Sequence, residues 1–318
     1  MADVKIFRRL ALQLQAGSSY EDSAMFLMPF NTNSLNQTVD PIRDDSIIGE
    51  GFDDIPQLGP THQVGSITQN LDVISCAPIL EACMGSKVAN VYTFANHAKK
   101  LSSCFLNSVS ANQYANSYIK RMKISGSSAN LIKLDYDLFG TTRVVRAATS
   151  EFPSAPTAPG NPFTFHEMGG VNGYVRVGDA VDGLTSSDNI SIEDFSIEFN
   201  GGFDEQFDNV SVLSMTPVYG MTPFQVSGSF RLSRYDNNQW LTWADDFTPL
   251  QMEMKIYKSA TENITIRIPR FNISAEITDD DLPKMNITMG IGRNGTGTSY
   301  KNANMTFTSP MQITVDNS

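Results

Sequence analysis

Gln251-Met252-Glu253-Met254-Lys255-Ile256 alternates polar and apolar side chains, and Ile264-Thr265-Ile266-Arg267-Ile268 resumes the pattern. It returns at Phe271, Ile273, Ala275 and Ile277, then at Met285, Ile287, Met289 and Ile291. Side chains on a strand point alternately to its two faces, so a strict period of two predicts strands with one packed and one polar face. Upstream, Phe224, Val226, Gly228, Phe230 and Leu232 alternate with Gln225, Ser227, Ser229, Arg231 and Ser233. In the first half Ile132, Leu134, Tyr136 and Leu138 alternate with Lys133, Asp135 and Asp137. Several such runs at hairpin spacing predict a mainly β fold of antiparallel sheets, sandwich- or barrel-like.

Two short helices are expected to flank the sheets. Ser75 suits an N-cap for a helix through Pro78–Met84 with Gly85 as its stop, and Asn237 suits one for Gln239–Ala244. Residues 152–163 carry Pro153, Pro156, Pro159 and Pro162. Proline lacks the N–H a sheet needs, so this stretch reads as an extended linker or an exposed loop. Phe7–Leu14 fits a strand or a short helix, and residues 15–61 are weakly patterned. Within them Phe26, Leu27, Met28 and Phe30 form an apolar patch that needs burial, which suggests an arm docking on a neighbouring subunit. The expected organisation is an arm over 1–61, a first sheet-plus-helix half over 62–151, the linker, and a second half over 164–318.

The halves match in pattern. His62–Ile67 leads into one helix as Phe224–Phe230 leads into the other, and the hairpins superpose at an offset of 153. Tyr118, Met122 and Ile124 then fall on Phe271, Ala275 and Ile277, and Ile132, Leu134, Tyr136 and Leu138 fall on Met285, Ile287, Met289 and Ile291. Alternating hairpins match one another easily, so duplication and coincidence both remain open at this level.

Net charge is −11 over 318 residues, with 13 Lys+Arg against 14 Asp+Glu in 1–159 and 10 against 20 in 160–318. That acidity argues against wrapping nucleic acid, which needs clustered cations, and is compatible with a surface along which nucleic acid slides; taken alone, ordinary solubility charge is the plainer explanation. Hydrophobic residues make up 41% and no run reaches the roughly 18 apolar residues of a membrane span, so a soluble protein is expected. Charges in Asp3, Lys5, Arg8 and Arg9 do not fit a secretion signal, and three cysteines make no disulfide framework, so synthesis in the cytoplasm is expected.

Chemistry-bearing constellations are scarce. His62, His97 and His166 sit in no metal motif, and Cys76 and Cys83 have a poor zinc spacing and suit small buried hydrophobes. A pair of Cys104 with His97 has no local support. Gly290-Ile291-Gly292-Arg293-Asn294-Gly295 fits a dinucleotide-loop pattern but no helix follows it, so it reads as a turn. Asp279-Asp280-Asp281 lacks the alternation of a calcium loop and reads as a solvated turn. No catalytic residue, metal ligand or cofactor is expected.

The order of parts resembles the tail tube proteins of long-tailed, non-contractile bacteriophages. Leu10–Asp22 is similar to that family's opening strand and acidic turn, and Thr61–Ser66, after Gly59-Pro60, to the strand before its helix. Tyr118–Gly126 with Leu131–Phe139 resembles its central hairpin, and Ser227–Ile291 with a tail through Met305-Thr306-Phe307 resembles its closing sheet. The resemblance implies a structural subunit, not an enzyme, whose copies join edge to edge into rings that stack into a tube. DNA would pass through the lumen without specific binding, and other tail proteins would meet the tube ends. A genuine repeat implies three chains in a pseudo-sixfold ring; otherwise six are expected. Glu198, Glu253, Glu262 and Glu276, opposite apolar positions in strands, are the candidate lumen-facing acids. The alternatives are another virion β protein, of a capsid-decorating or baseplate kind, and a carbohydrate-binding β-sandwich, which needs a cleft with exposed aromatics or paired carboxylates.

Overall fold

The alternating runs become strands in a computed structural model, which describes residues 8–39, 61–95, 99–140, 143–180, 183–201, 203–207, 215–219, 225–234, 238–278, 284–291 and 309–317. The first half contains β1 (Arg9–Leu14), β2 (Phe26–Met28), β3 (Phe30–Asn33), β4 (Asn36–Val39) and β5 (Thr61–Asn70). Then follow α1 (Cys76–Met84), β6 (Gly85–Val88), β7 (Val91–Phe94), β8 (Leu101–Leu106), β9 (Ala111–Ser127), β10 (Lys133–Gly140) and β11 (Arg143–Ala147). The second half contains β12 (Tyr174–Asp179), β13 (Ile192–Asn200), β14 (Phe203–Phe207), β15 (Met215–Tyr219) and β16 (Gln225–Leu232). It continues through α2 (Gln239–Asp245), β17 (Leu250–Ser259), β18 (Glu262–Thr278), β19 (Lys284–Ile291) and β20 (Gln312–Asp316). The fold is mainly antiparallel β with short helices, as the alternation predicts.

The two halves repeat one another in topology. In the first, β1 pairs β8, β8 pairs β9, β9 pairs β10 and β11, β10 pairs β5, and β5 pairs β3 and β4. In the second, β12 pairs β17, β17 pairs β18, β18 pairs β19 and β20, β19 pairs β16, and β16 pairs β13. A helix follows β5 in one and β16 in the other. β9 and β18 have 17 residues each, and β10 and β19 eight each. The register refines the offset read from the sequence. Ile124 pairs Leu134 and Ile277 pairs Met285, so with the first hairpin strand at the offset of 153 the second takes 151. Among the described residues β6, β7 and β2 have no counterpart in the other half.

Both long strands change partners along their length. The first part of β9 lies between β8 and β11, and its last part between β10 and β13. β18 starts between β17 and β20 and ends beside β19. One hydrophobic core fills the space between these layers and takes residues from both halves, among them Leu12, Ile67, Ile124, Tyr136, Ile197, Phe230, Met254, Ile266 and Ile287. Each fully buried Leu or Ile contributes about 1.5–3 kcal/mol relative to exposure, so the shared core ties the halves together.

Three expectations need correction. Residues 26–39 of the expected arm are woven into the fold: β2 pairs β1, and β3 and β4 pair β5. Met28 is buried, Phe26 and Phe30 pack on the main core, and Leu27 packs on a smaller cluster of Ala11, Met25, Cys104, Ala111 and Phe152. The chain therefore covers most of this patch itself. The proline-rich stretch is also anchored: Thr157 exchanges backbone hydrogen bonds with Met25 and Leu27 at 2.8 Å, and Phe163 is fully buried. Finally, Ser75 occupies the N-cap of α1, but its side chain accepts no bond from the helix. Asp72 caps the turn that leads into the helix, accepting from the N–H groups of Ile74 and Ser75 at 2.8 Å and of Gly160 at 2.9 Å. The Ser75 hydroxyl instead donates to Asp72 and accepts from Gln69 at 3.0 Å. Gly85 ends the helix at φ 82°, the left-handed conformation that suits glycine. α2 forms as expected, with Asn238 at its N-cap; Asn237 lies outside the described residues.

Candidate assembly edges and polar sheet face

Pairing runs unbroken through β3–β4, β5, β10, β9, β13, β16, β19 and β18. Residues directly opposite on neighbouring strands share a face, so one row crosses the whole sheet: Thr32, Thr68, Asp135, Lys123, Glu198, Ser227, Gly290, Asn272. A second row reads Asn70, Lys133, Ser125, Ser196, Ser229, Thr288, Ser274. The opposite face carries Leu134, Ile124, Ile197 and Met289, all in the core.

The polar face is rich in Ser, Thr and Asn, and its charges nearly balance, five cations standing against six carboxylates when Glu193 is included. Arg121, Lys123, Lys133, Arg231 and Lys284 stand on it beside Asp135, Asp137, Asp194, Glu198 and Glu276. Arg121 bonds Glu198 at 3.0 and 3.1 Å and Asp137 at 3.4 Å. Arg231 meets Asp194 at 2.7 Å and Glu193 at 3.3 Å, and Lys284 meets Glu193 at 2.7 Å. The hydrogen bonds from Arg121 hold the Glu198 carboxyl below the usual carboxylate range, and Glu198 in turn raises the Arg121 guanidinium. Among the described residues this face carries no concentrated acidity, in contrast to what the charge of the second half suggested.

Only two of the four candidate acids share this face. Glu198 lies in its middle, and Glu276 stands exposed near its β18 edge. Glu253 and Glu262 belong to the β17–β18 hairpin, where β18 pairs β17 and β20. Glu253 pairs across β17 with Arg176 and Arg267, accepts from the Tyr174 hydroxyl at 2.5 Å and bonds Arg267 at 2.5 Å. Burial alone raises its pKa, and these bonds and charges outweigh burial and hold it low. It is a structural ion pair on a different layer. Asp279–Asp281 and His97 lie outside the described residues.

The joint between the halves is the pairing of β13 with the end of β9. Asp194–Asn200 lies opposite Arg121–Ser127, with Ile197 against Ile124 and Glu198 against Lys123. Backbone hydrogen bonds from Gly201 to Lys120 and from Ser128 to Glu193, both 2.8 Å, extend it at either end. The repeat contains the same two surfaces once more. Among the described residues no strand pairs with the outer edge of β3–β4, the counterpart of β13, nor with the free side of β18 over 272–278, the counterpart of the end of β9. Ile277 is 43% exposed, whereas Ile124, its counterpart, is 1% exposed under Ile197.

Other candidate chemistry is sparse. Among the described residues no group of three or more His, Cys, Asp or Glu side chains comes together, and Cys76, Cys83 and Cys104 are free and buried. Burial raises all three thiols, Cys104 to about 11. A polar cleft of about 900 Å³ lies between Asp179, Asp188, Arg234, Trp240 and Trp243. Its aromatic rings are engaged inward: Trp240 is buried, edge-on to Phe230 at 5.6 Å and to Trp243 at 5.2 Å. Asp188 is held in its own turn by the N–H and hydroxyl of Thr185 at 2.6 and 3.0 Å. No helix among the described residues is long and apolar enough to cross a membrane. No protein-family model matches the chain, and no curated protein matches it.

Proposed function

We propose that this chain is a structural subunit of a tube-forming assembly of the phage-tail type, built from rings closed edge to edge. The observation that carries the reading is the duplicated sheet, joined internally through β9 and β13 and open at the two equivalent edges. An open edge presents N–H and C=O groups without a strand partner; on β3–β4 the Leu35 and Gln37 N–H groups are held by the Asn33 and Asn36 side chains at 2.8 and 2.9 Å, and a neighbouring strand in a closed ring would take their place. Each chain contributes two equivalent units. On the sixfold plan implied by the sequence resemblance, three chains complete a ring, and rings then stack head to tail.

The polar face is the natural lining. Arg121, Arg231 and Lys284 are held in ion pairs, Lys123 stands between Asp135 and Glu198, and most other groups are Ser, Thr and Asn side chains, so the face offers a phosphate backbone neither clustered cations to bind nor a bare anionic wall. DNA conduction on this surface rests on neutrality and not on repulsion. In this reading the chain acts in the virion tail and carries no catalytic site. Negative-stain electron microscopy of the purified protein is the test. Rings or hollow tubes are expected; monomers alone at high concentration overturn the proposal, and closed rings that never stack favour a decorating or baseplate role.

A further inference from the structure

Resting on that reading, we infer that the seam between successive copies reproduces the β9–β13 joint residue for residue, with β3–β4 of one copy entering the free side of β18 in the next. The register follows from the repeat. Ile277 corresponds to Ile124, because Leu138 and Met289 lie opposite the equivalent glycines Gly65 and Gly228, and four residues back along those strands Leu134 and Met285 lie opposite Ile124 and Ile277. Leu35 corresponds to Ile197, because the pairing of Asn33 with Ile67 and of Asn36 with Val64 sets it opposite Gly65, the glycine equivalent to Gly228. Gly228 lies opposite Ile197, and an added Cβ at Gly65 would fall 2.3 Å from Leu35 Cα. Both glycines face equivalent residues of the neighbouring strand, Met289 for Gly228 and Leu138 for Gly65.

Substituting counterparts into the internal joint gives the external one. Ile197 against Ile124 becomes Leu35 against Ile277, Glu198 against Lys123 becomes Asn36 against Glu276, and Ser196 against Ser125 becomes Ser34 against Thr278. The seam thereby covers Ile277, whose counterpart Ile124 is already covered within the chain. The bonds from Gly201 to Lys120 and from Ser128 to Glu193 make the Glu198–Lys123 and Ser196–Ser125 positions the non-hydrogen-bonded pairs of the joint. Asn36 and Glu276 inherit that geometry, with Cα atoms about 4.5 Å apart, close enough for a disulfide.

The experiment uses the full chain carrying Asn36→Cys and Glu276→Cys, oxidised mildly after assembly and run on a non-reducing gel. The native thiols are buried and do not compete. The expected result is a ladder of linked copies that collapses with reductant; each single variant gives none, and the two singles mixed give a linked dimer. Asn36→Cys with Asn272→Cys is the control, because four residues along a strand displace the thiols by about 13 Å. Ile277→Asp, folded by its melting transition, is expected to raise the concentration needed for assembly at least tenfold. If wild type assembles but the matched pair links no better than the control, the seam is wrong while the assembly reading stands. Wild type that stays monomeric overturns both. Linked rings that do not stack support the seam and overturn the tube.

Discussion

Arg121, on β9 of the first half, bonds Glu198, on β13 of the second, through Nε at 3.0 Å and a terminal nitrogen at 3.1 Å. This two-pronged contact spans the internal joint and holds the Glu198 carboxyl low. Both side chains are about two-thirds buried or more, so the pair is partly shielded from screening. Glu198→Gln is expected to lower unfolding stability by about 1 kcal/mol at neutral pH. A depressed carboxyl contributes above its unfolded value, about 4.3, and loses that contribution as pH falls through its lower folded value. The difference between wild type and Glu198→Gln in urea unfolding should therefore be present at pH 7 and shrink toward pH 3. A constant gap would show that the substitution acts through packing.

Gly65 and Gly228 occupy equivalent places but differ in what surrounds them. A Cβ at Gly228 meets the Met289 methyl at 2.3 Å, the movable end of a flexible side chain. A Cβ at Gly65 meets Leu35 Cα at 2.3 Å, its nitrogen at 2.5 Å and Ser34 carbonyl carbon at 2.9 Å, all backbone. Gly65→Ala should therefore destabilise by about 3 kcal/mol or more and Gly228→Ala by about 1–2, read as separate shifts in urea midpoint. Equal effects would mean that the β3–β4 connection yields as easily as a side chain.

Asp72 is 1% exposed and accepts from three backbone N–H groups, two in the turn leading into α1 and one from Gly160 in the proline-rich stretch. Asp72→Ala strands all three donors and is expected to cost about 3 kcal/mol, whereas Ser75→Ala removes one hydroxyl and should cost about 1. Thermal melting of the two variants distinguishes them. The reverse order would return the capping role to Ser75, where the sequence pattern alone puts it.

The strands were legible because one buried face imposes a period of two, as in Lys133–Gly140 and Lys284–Ile291, where burial alternates nearly residue by residue. The helix stop at Gly85 was legible for a similarly local reason. The seam candidates were not. Ile124 and Ile277 occupy the same phase of the same pattern, and only the pairing of β9 with β13 separates a covered position from an open one. Charge misled for the same reason: net acidity counts residues, whereas the polar face depends on which acids pair with Arg121, Arg231 and Lys284. The cap of α1 passed from Ser75 to Asp72 because a carboxylate can take several donors at once, which spacing does not reveal.

The three thiols give a direct reading of the fold's closure. Cys76 and Cys83 sit on α1 against the core, and Cys104 lies under the smaller cluster beside Tyr20. Thiolates are the reactive form, and burial both raises these thiols and denies a reagent access. At pH 8 an aromatic disulfide reagent should modify the folded protein at least a hundredfold more slowly than the unfolded chain, in which all three react. Rapid labelling of one native thiol would locate a layer that opens without global unfolding.

The balanced polar face makes a prediction about DNA that an acidic wall would not. Phosphate binding strengthens with each unpaired cation gained, and repulsion grows with each unpaired anion. On this face Lys123 already lies between Asp135 and Glu198, and Arg121 between Asp137 and Glu198. Duplex DNA should show no retention by assembled wild type at about 0.15 M salt. Asp135→Lys with Ser227→Lys adds cations in the same row and removes an anion, at positions the fold leaves partly or fully exposed. That variant is expected to retain DNA with an affinity that falls as salt rises, measured by fluorescence anisotropy of labelled duplex. Tight, salt-sensitive binding by wild type would mean that unpaired cations dominate this face, and a surface that holds DNA cannot serve as one along which DNA slides.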